Sequence, residues 1–220
     1  MTKIALQGNP FSTRFVRPGA IEYLFAPGDG AARMIERLSQ HGWRGQIIGP
    51  HGVGKSTLLA SLLQPLSDAG RPAQIVVLHN GQRQLPGEWQ TAVRATGAKI
   101  VVVDGYEQLG RLARWRLNAR CRRAGWGLLI TAHRDMGLPT VAQLQPSAVM
   151  AHRVVERLVG ADVSPAWVAD AWLACEGNVR EMLFLLYDRH ERSRRCNAMG
   201  GTVSPAGQVS ERAGCADFSA

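Results

Sequence analysis

Three features are scarce or missing in this sequence of 220 residues: lysine, closely paired cysteines and long apolar runs. No apolar run reaches the length of about 18 residues that marks a membrane span, and the first residues lack the apolar segment of a signal peptide. We therefore expect a cytoplasmic protein without a membrane segment. The four cysteines form no C-x-x-C pair, which predicts reduced thiols and neither a zinc site nor a disulfide framework.

The basic residues are almost all arginines. Lysine and arginine together number 26 against 17 acidic residues, a formal charge of +9, yet the lysines are only Lys3, Lys55 and Lys99. A charge of this sign attracts nucleic acid and other anionic surfaces without demonstrating contact with them. A solvated basic surface explains the same composition. Nucleic acid is therefore one candidate partner.

The most specific motif in the chain fits the pattern G-x-x-x-x-G-K-[ST] at every position. Its glycines let the backbone turn so that successive N–H groups face a phosphate. We expect Lys55 to reach the β and γ phosphates, Ser56 to offer its hydroxyl to Mg²⁺, and the following helix to add its positive end. The motif predicts a P-loop that binds ATP. The predicted nucleotide-binding residues are Gly49, Pro50, His51, Gly52, Val53, Gly54, Lys55, Ser56 and Thr57.

Apolar strand patterns alternate with helical ones along the chain. Strands are predicted at residues 46–48, 74–78, 99–104 and 128–133, and a weaker one at 139–144. One helix is predicted before the first strand, at 29–40, and others between the strands, at 57–63, 88–95 and 107–123. This order predicts an α/β fold, the three-layer P-loop NTPase sandwich around a parallel sheet, with ligands at the carboxyl ends of the strands.

Four regions follow from these patterns. They are an N-terminal linker and helix (1–42), the P-loop ATPase core (43–146), a small helical lid (147–192) and a tail (193–220). Helices at 147–159, 164–174 and 179–191 make up the lid. The tail is rich in arginine, glycine, serine and alanine with few apolar residues, so we expect it to be disordered.

Polar residues stand at the ends of two predicted strands. Asp104 ends one strand, some fifty residues after the P-loop, where a carboxylate suits Mg²⁺ together with Ser56. Glu107 follows three residues after Asp104 and either orients the attacking water or caps the helix that is predicted to start there. Thr131 and His133 end the other strand and therefore point to the same edge of the sheet.

Three of these segments resemble motifs of known ATPases. Residues 103–108 resemble the D-G-x-D-E form of Walker B in NACHT and related signal-transduction ATPases, with Gln108 in place of the second acid. Residues 130–134 resemble the sensor 1 strand of AAA+ ATPases, which implies that Thr131 or His133 helps to place the water. Arg134 is then either an arginine finger or a surface residue.

The third segment, residues 176–181, resembles the sensor 2 motif, which implies that Arg180 reaches the nucleotide phosphates from the lid. In many P-loop ATPases the segment before the first strand packs on adenine, which makes Phe15 and Val16 candidates for that wall; simple packing is the alternative. The resemblance covers about residues 43 to 190 and implies an AAA+-like ATPase.

The combined motifs predict a Mg²⁺-dependent ATPase in which hydrolysis drives a conformational change. The alternative is a nucleotide-gated binding module, associated with DNA, with little or no hydrolysis, because position 105 holds glycine where AAA+ ATPases commonly have glutamate. A GTPase and a transporter ATPase are disfavoured because the N-K-x-D and L-S-G-G-Q motifs are absent, and a kinase because no arginine-rich lid is evident. The catalytic candidates are Lys55, Asp104, Glu107, Thr131, His133 and Arg180.

The predicted helix at 107–123 carries most of the clustered positive charge. Arg116, Arg120 and Arg123 share one helical face. This stripe either binds nucleic acid phosphates, forms a solvated face, or meets acidic groups of a neighbouring subunit in a homo-oligomer. A steep salt dependence of DNA binding would favour the first of these.

Overall fold

The computed structural model describes residues 9–26, 28–79, 81–160 and 164–198. Five parallel strands form one sheet in the order β2-β3-β4-β1-β5. All five predicted strands are present, and the predicted α/β fold is confirmed. The strands are β1 Arg44–Ile48, β2 Ala73–Val77, β3 Ile100–Asp104, β4 Gly127–Ala132 and β5 Thr140–Gln143.

Helices cover both faces of this sheet and then form a separate cluster after it. The helices up to the last strand are α1 Thr13–Val16, α2 Ala31–Gln40, α3 Lys55–Asp68, α4 Trp89–Ala95 and α5 Arg111–Ala124. The three that follow are α6 Ala148–Val159, α7 Pro165–Ala174 and α8 Val179–Ala198. Among the residues that the structure describes, no helix is both long and apolar enough to cross a bilayer.

The two central strands are apolar at nearly every position because both faces of the sheet are covered. In β3, Ile100 and Val102 pack into the cluster that contains Leu58 of α3. The alternate residues, among them Val101, pack on the other face with Leu117 of α5. Alternate residues of one strand therefore pack into two cores, one on each face of the sheet. The result is the three-layer arrangement of helices, sheet and helices that the sequence predicts.

The prediction of a helix at 107–123 is wrong about where the helix starts. Residues Tyr106–Gln108 form a 3₁₀ turn, and α5 begins only at Arg111. Gly105 adopts φ +83°, a left-handed conformation that ends β3 sharply, and Gly110 is the N-cap of α5. Glu107 consequently lies in the turn at the carboxyl edge of the sheet and does not cap α5.

The N-terminal segment is tied to the helices that follow the sheet. Phe11 is fully buried in their core, with its ring 6.2 Å from that of Trp167. Asn9 Nδ2 donates to the backbone oxygen of Tyr187 at 3.0 Å. Helix α8 continues to Ala198, so the tail predicted from residue 193 starts inside a helix; residues 199–220 lie outside the described residues.

Candidate nucleotide-binding site

The predicted P-loop connects β1 to α3 at the carboxyl edge of the sheet. Gly52 and Gly54 adopt φ of +72° and +98°, left-handed conformations that residues with a Cβ rarely adopt. The N–H of Gly49 donates to the backbone oxygen of Ala132 at 3.2 Å, which fixes the start of the loop to β4. The backbone therefore turns at Gly52 and Gly54 as the motif predicts, whereas Gly49 does not adopt a positive φ.

Lys55 is buried and its ammonium group folds back into the loop. Nζ donates to the backbone oxygens of Gly49 and Pro50, at 2.7 Å each, and lies 3.1 Å from Nδ1 of His133. Burial lowers the pKa of Lys55, and the carboxylates of Glu107 and Asp104 act in the opposite direction. The P-loop lysine is thus held between its own loop and the ends of β3 and β4.

His133 connects this lysine to a carboxylate. Its Nε2 lies 2.9 Å from Oε1 of Glu107. Its Nδ1 also lies 3.3 Å from the backbone oxygen of Gly49. An ammonium group has no lone pair, so a hydrogen bond with Lys55 requires Nδ1 to accept and leaves Nε2 to carry the proton donated to Glu107. The other carboxylate oxygen, Oε2, is buried and has no partner among the described residues. One oxygen of Glu107 therefore positions the side chain and the other remains available for a further donor.

Asp104 is linked to β4 through a buried threonine. The hydroxyl of Thr131 donates to Oδ1 of Asp104 and accepts from the N–H of Gly105 at 3.0 Å. Thr131 is fully buried, so neither bond is replaced by water. This pair fixes the carboxylate and the turn that leads to Glu107.

The start of α8 rests directly on the P-loop. A Cβ on Gly52 would lie only 1.8 Å from Oδ1 of Asn178, so the two residues are in close contact. The same oxygen accepts from the N–H groups of Arg180 and Glu181, at 3.1 and 3.3 Å, and thereby caps α8. The exposed Arg180 is close enough to contribute to the lowered pKa of Lys55. Arg180 therefore lies at the same site.

The structure brings most of the predicted site residues together, but it does not place all of them there. Arg134 is exposed and has no side-chain hydrogen bond or ion pair within the described ranges. Val16 packs on the core of α6, α7 and α8, and Phe15 lies beneath the guanidinium of Arg14 at 4.4 Å. These contacts correspond to simple packing, the alternative to an adenine wall.

Two residues near the loop were not predicted from the sequence. The ring of Tyr23 would lie 3.7 Å from a Cβ on Gly54, which places an aromatic face beside the P-loop. Asn178 lies inside the predicted sensor 2 segment, but its contact with Gly52 depends on tertiary packing. The Gly-Asn pair before a helix was the only sequence signal for it.

The residues at this site fit ATP and Mg²⁺. The N–H groups of His51, Gly52 and Gly54 have no acceptor in the described part of the chain, as expected of donors that a phosphate would use. No group of three or more His, Cys, Asp or Glu residues there forms a metal site. Mg²⁺ needs only one carboxylate and one hydroxyl beside phosphate oxygens and water, which Asp104 and Ser56 supply.

Comparison with solved structures identifies the fold. A Walker-type ATPase of Pyrococcus abyssi matches with a TM-score of 0.56 at 15% identity, covering 87% of this chain and 74% of that one. A replication initiator DnaA bound to AMPPCP and single-stranded DNA gives 0.53 at 13% identity, covering 82% and 73%. AMPPCP-bound DnaA from Aquifex aeolicus gives 0.52 at 14% identity, covering 80% and 69%.

The chain has an AAA+-like P-loop NTPase fold. This likeness confirms the fold that the sequence resemblance implied. No protein-family model matches the chain, and no curated protein matches it in sequence. In this AAA+-like fold the P-loop, the end of β3 and the end of β4 are adjacent because β1, β4 and β3 are neighbours in the sheet.

Replacing Thr131 with valine is expected to lower the free energy of unfolding by about 1–3 kcal/mol, because the N–H of Gly105 and a carboxylate oxygen of Asp104 lose a buried partner. Thr131→Ser keeps the hydroxyl and should be closer to wild type. Urea denaturation of the three proteins measures the difference. Equal stability of the valine variant and wild type would contradict the role assigned to this hydroxyl.

Nucleotide binding is expected to depend on pH through His51. Its ring is tilted by 35° to that of His133, with the centroids 3.5 Å apart. Burial, then His133 and Lys55, lower the pKa of His51. A bound phosphate would raise that pKa, so binding takes up protons and affinity rises as the pH falls from about 7.5 to about 5.5. ATP dissociation constants measured across this range should show the effect.

The matched protein for this measurement is His51→Gln. The γ-phosphate of ATP titrates over a similar range, but it does so with both proteins, so their difference isolates His51. We expect a shallower pH dependence for the variant. Parallel curves for the two proteins would show that His51 takes up no proton on binding.

Proposed function

We propose that the protein is an ATP-binding, Mg²⁺-dependent ATPase that couples nucleotide binding and hydrolysis to a conformational change. The observation that carries the proposal is the chain of contacts from Lys55 through His133 to Glu107. It joins the phosphate-binding lysine to a carboxylate that has one buried oxygen without a partner among the described residues. A hydrolytic site needs such a group to orient or deprotonate water.

Each residue has a distinct role in this proposal. The N–H groups of the P-loop and the ammonium of Lys55 bind the phosphates. Asp104 and Ser56 would hold Mg²⁺, which would neutralise charge on the phosphate oxygens. Glu107 accepts a proton of the attacking water, while His133 holds the other oxygen of the same carboxylate in place.

The conformational change is proposed to pass through the start of α8. Asn178 caps that helix and also contacts Gly52, so a phosphate that draws the loop N–H groups towards itself alters the surface on which the helix rests. Arg180 adds a charge that would bind the γ-phosphate before hydrolysis and lose that partner afterwards. Helices α6, α7 and α8 would then act as a lid whose position reports the nucleotide state.

A second candidate is a nucleotide-gated binding module with little or no hydrolysis. Gly105 and Gln108 favour it, because both occupy positions where related ATPases carry an acid. The module would associate with DNA through the arginine-rich segment 107–123, and DnaA bound to single-stranded DNA is a precedent within the fold. Assembly into a homo-oligomer remains a prediction for either candidate.

ATP turnover by the purified full chain separates the two candidates. We expect the wild type to hydrolyse ATP with Mg²⁺, Lys55→Ala to lose ATP binding, and Glu107→Gln to bind ATP while its turnover falls by about 10²- to 10⁴-fold. Glu36→Gln, which removes an exposed carboxylate on α2, is the control and should behave as wild type.

Two outcomes would count against this account. Full turnover by Glu107→Gln would remove the carboxylate from the mechanism. ATP binding through Lys55 without turnover, both alone and with single-stranded DNA, would replace the ATPase with the nucleotide-gated module.

A further inference from the structure

Helix α5 and the loop before α4 enclose an open groove of about 730 Å³, a volume typical of ligand sites. Its floor is apolar: Leu117 is buried, and Trp89 packs edge to face on Trp126 with ring centroids 6.0 Å apart. The N–H of Gly110 donates to the backbone oxygen of Arg83 at 3.0 Å and joins the two walls. None of the residues of the phosphate site lines this groove.

The charge of the groove has one sign. Four arginines line it, Arg83, Arg116, Arg120 and Arg123, and no acidic residue does. The three on α5 are spaced by four and then three residues, so their side chains leave one helical face at intervals of about 6 and 4.5 Å along the axis. An elongated anion with regularly repeated charges matches this row.

One of these arginines has a donor without an acceptor. Nε of Arg120 is buried and makes no hydrogen bond among the described residues. Burying a polar group without a partner costs free energy, which favours a shift of the Arg120 side chain that brings this N–H to an anionic oxygen in the groove. Arginine also binds phosphate with two parallel N–H groups, which lysine does not.

The groove also exposes large apolar side chains beside the arginines. Trp115 and Leu112 line it and are 64% and 57% exposed. Gln84 and Gln90 lie in the same lining and offer amide donors and acceptors. An exposed indole next to guanidinium groups is suited to stack on a planar base, whose phosphates the arginines would neutralise.

We propose that this groove binds single-stranded nucleic acid, with phosphates on the arginine row and a base against Trp115. A duplex keeps its bases stacked inside and could use only the arginines, and an acidic peptide has no planar group that requires the indole. The proposal specifies the partner and site of the second candidate function. It rests on that candidate and is independent of hydrolysis, because its test measures strand binding and not ATP turnover.

The test measures binding of fluorescein-labelled 20-nucleotide strands to the full chain by anisotropy at several salt concentrations. We expect single strands to bind more tightly than a duplex of the same sequence. Trp115→Ala should weaken binding by about five- to hundredfold, the effect of losing one stacked base. Arg116→Glu with Arg123→Glu should weaken it at least about tenfold and reduce the salt slope by about 1.4, two contacts at about 0.7 each.

Matched variants control for the overall positive charge and for exposed apolar surface. Arg17→Glu with Arg33→Glu makes the same change of charge at exposed positions outside the groove, and Leu173→Ala removes an exposed apolar side chain elsewhere. Both should bind nearly as wild type. Circular dichroism checks that each variant is folded. We expect all of them to fold, because the substituted side chains are exposed.

Three results would overturn the proposal: equal losses in the groove and control variants, tighter binding of the duplex, or full competition by polyglutamate at equal charge concentration. The last result would assign the groove to an acidic peptide. Binding of DNA and RNA strands of the same sequence is compared in parallel. A difference in affinity would show which of the two the groove prefers, because only RNA carries the 2′-hydroxyl. Loss of ATP turnover in Glu107→Gln with unchanged strand binding would show that the ATPase site and the groove act separately. The two proposals can therefore fail independently.

Discussion

The candidate site depends above all on how the buried ammonium of Lys55 is held. A cation removed from water must find compensating oxygen or nitrogen atoms, and Lys55 finds them in the backbone of Gly49 and Pro50 and in the ring of His133. Those partners come from the loop and from the end of β4. The neighbouring strand order β3-β4-β1 is therefore what brings the lysine, His133 and the turn with Glu107 into one network.

Two contacts extend this network to other parts of the fold. Asn178 connects the network to α8, because its side chain both caps that helix and contacts Gly52. Arg114 carries it to α5, because its guanidinium donates to the backbone oxygen of Glu107 at 2.6 Å. The helix that lines the arginine groove is thus attached to the residue proposed to orient water.

The sequence predicts the elements of this fold better than their contacts. The P-loop and the apolar strands β3 and β4 were predicted from local patterns, since a strand buried on both faces has few alternatives. The start of α5 was misplaced because the left-handed turn at Gly105 and the cap at Gly110 interrupt an otherwise helical pattern. The burial of Phe11 could not be predicted, because it depends on packing against residues that lie 140 or more positions away in the chain.

The same limit applies within the candidate site. Lys55 and Asp104 follow from motifs, and Glu107 from its place near the end of a strand. The polar contacts of the His133 ring with Lys55, Gly49 and Glu107 depend on the loop conformations at both ends of the network. The contact between Asn178 and the P-loop depends on them as well. Sequence patterns carry no information on either distance. Tertiary structure is therefore needed to connect α8 to the phosphate site.

Amide hydrogen exchange with and without AMPPCP tests this connection most directly. If the P-loop and the lid are coupled through Asn178, AMPPCP should change exchange both in the loop, residues 49–57, and at the start of α8, residues 179–182. Asn178→Ala should reduce the change in the helix while the loop still responds. A response confined to the loop in the wild-type protein would contradict the account.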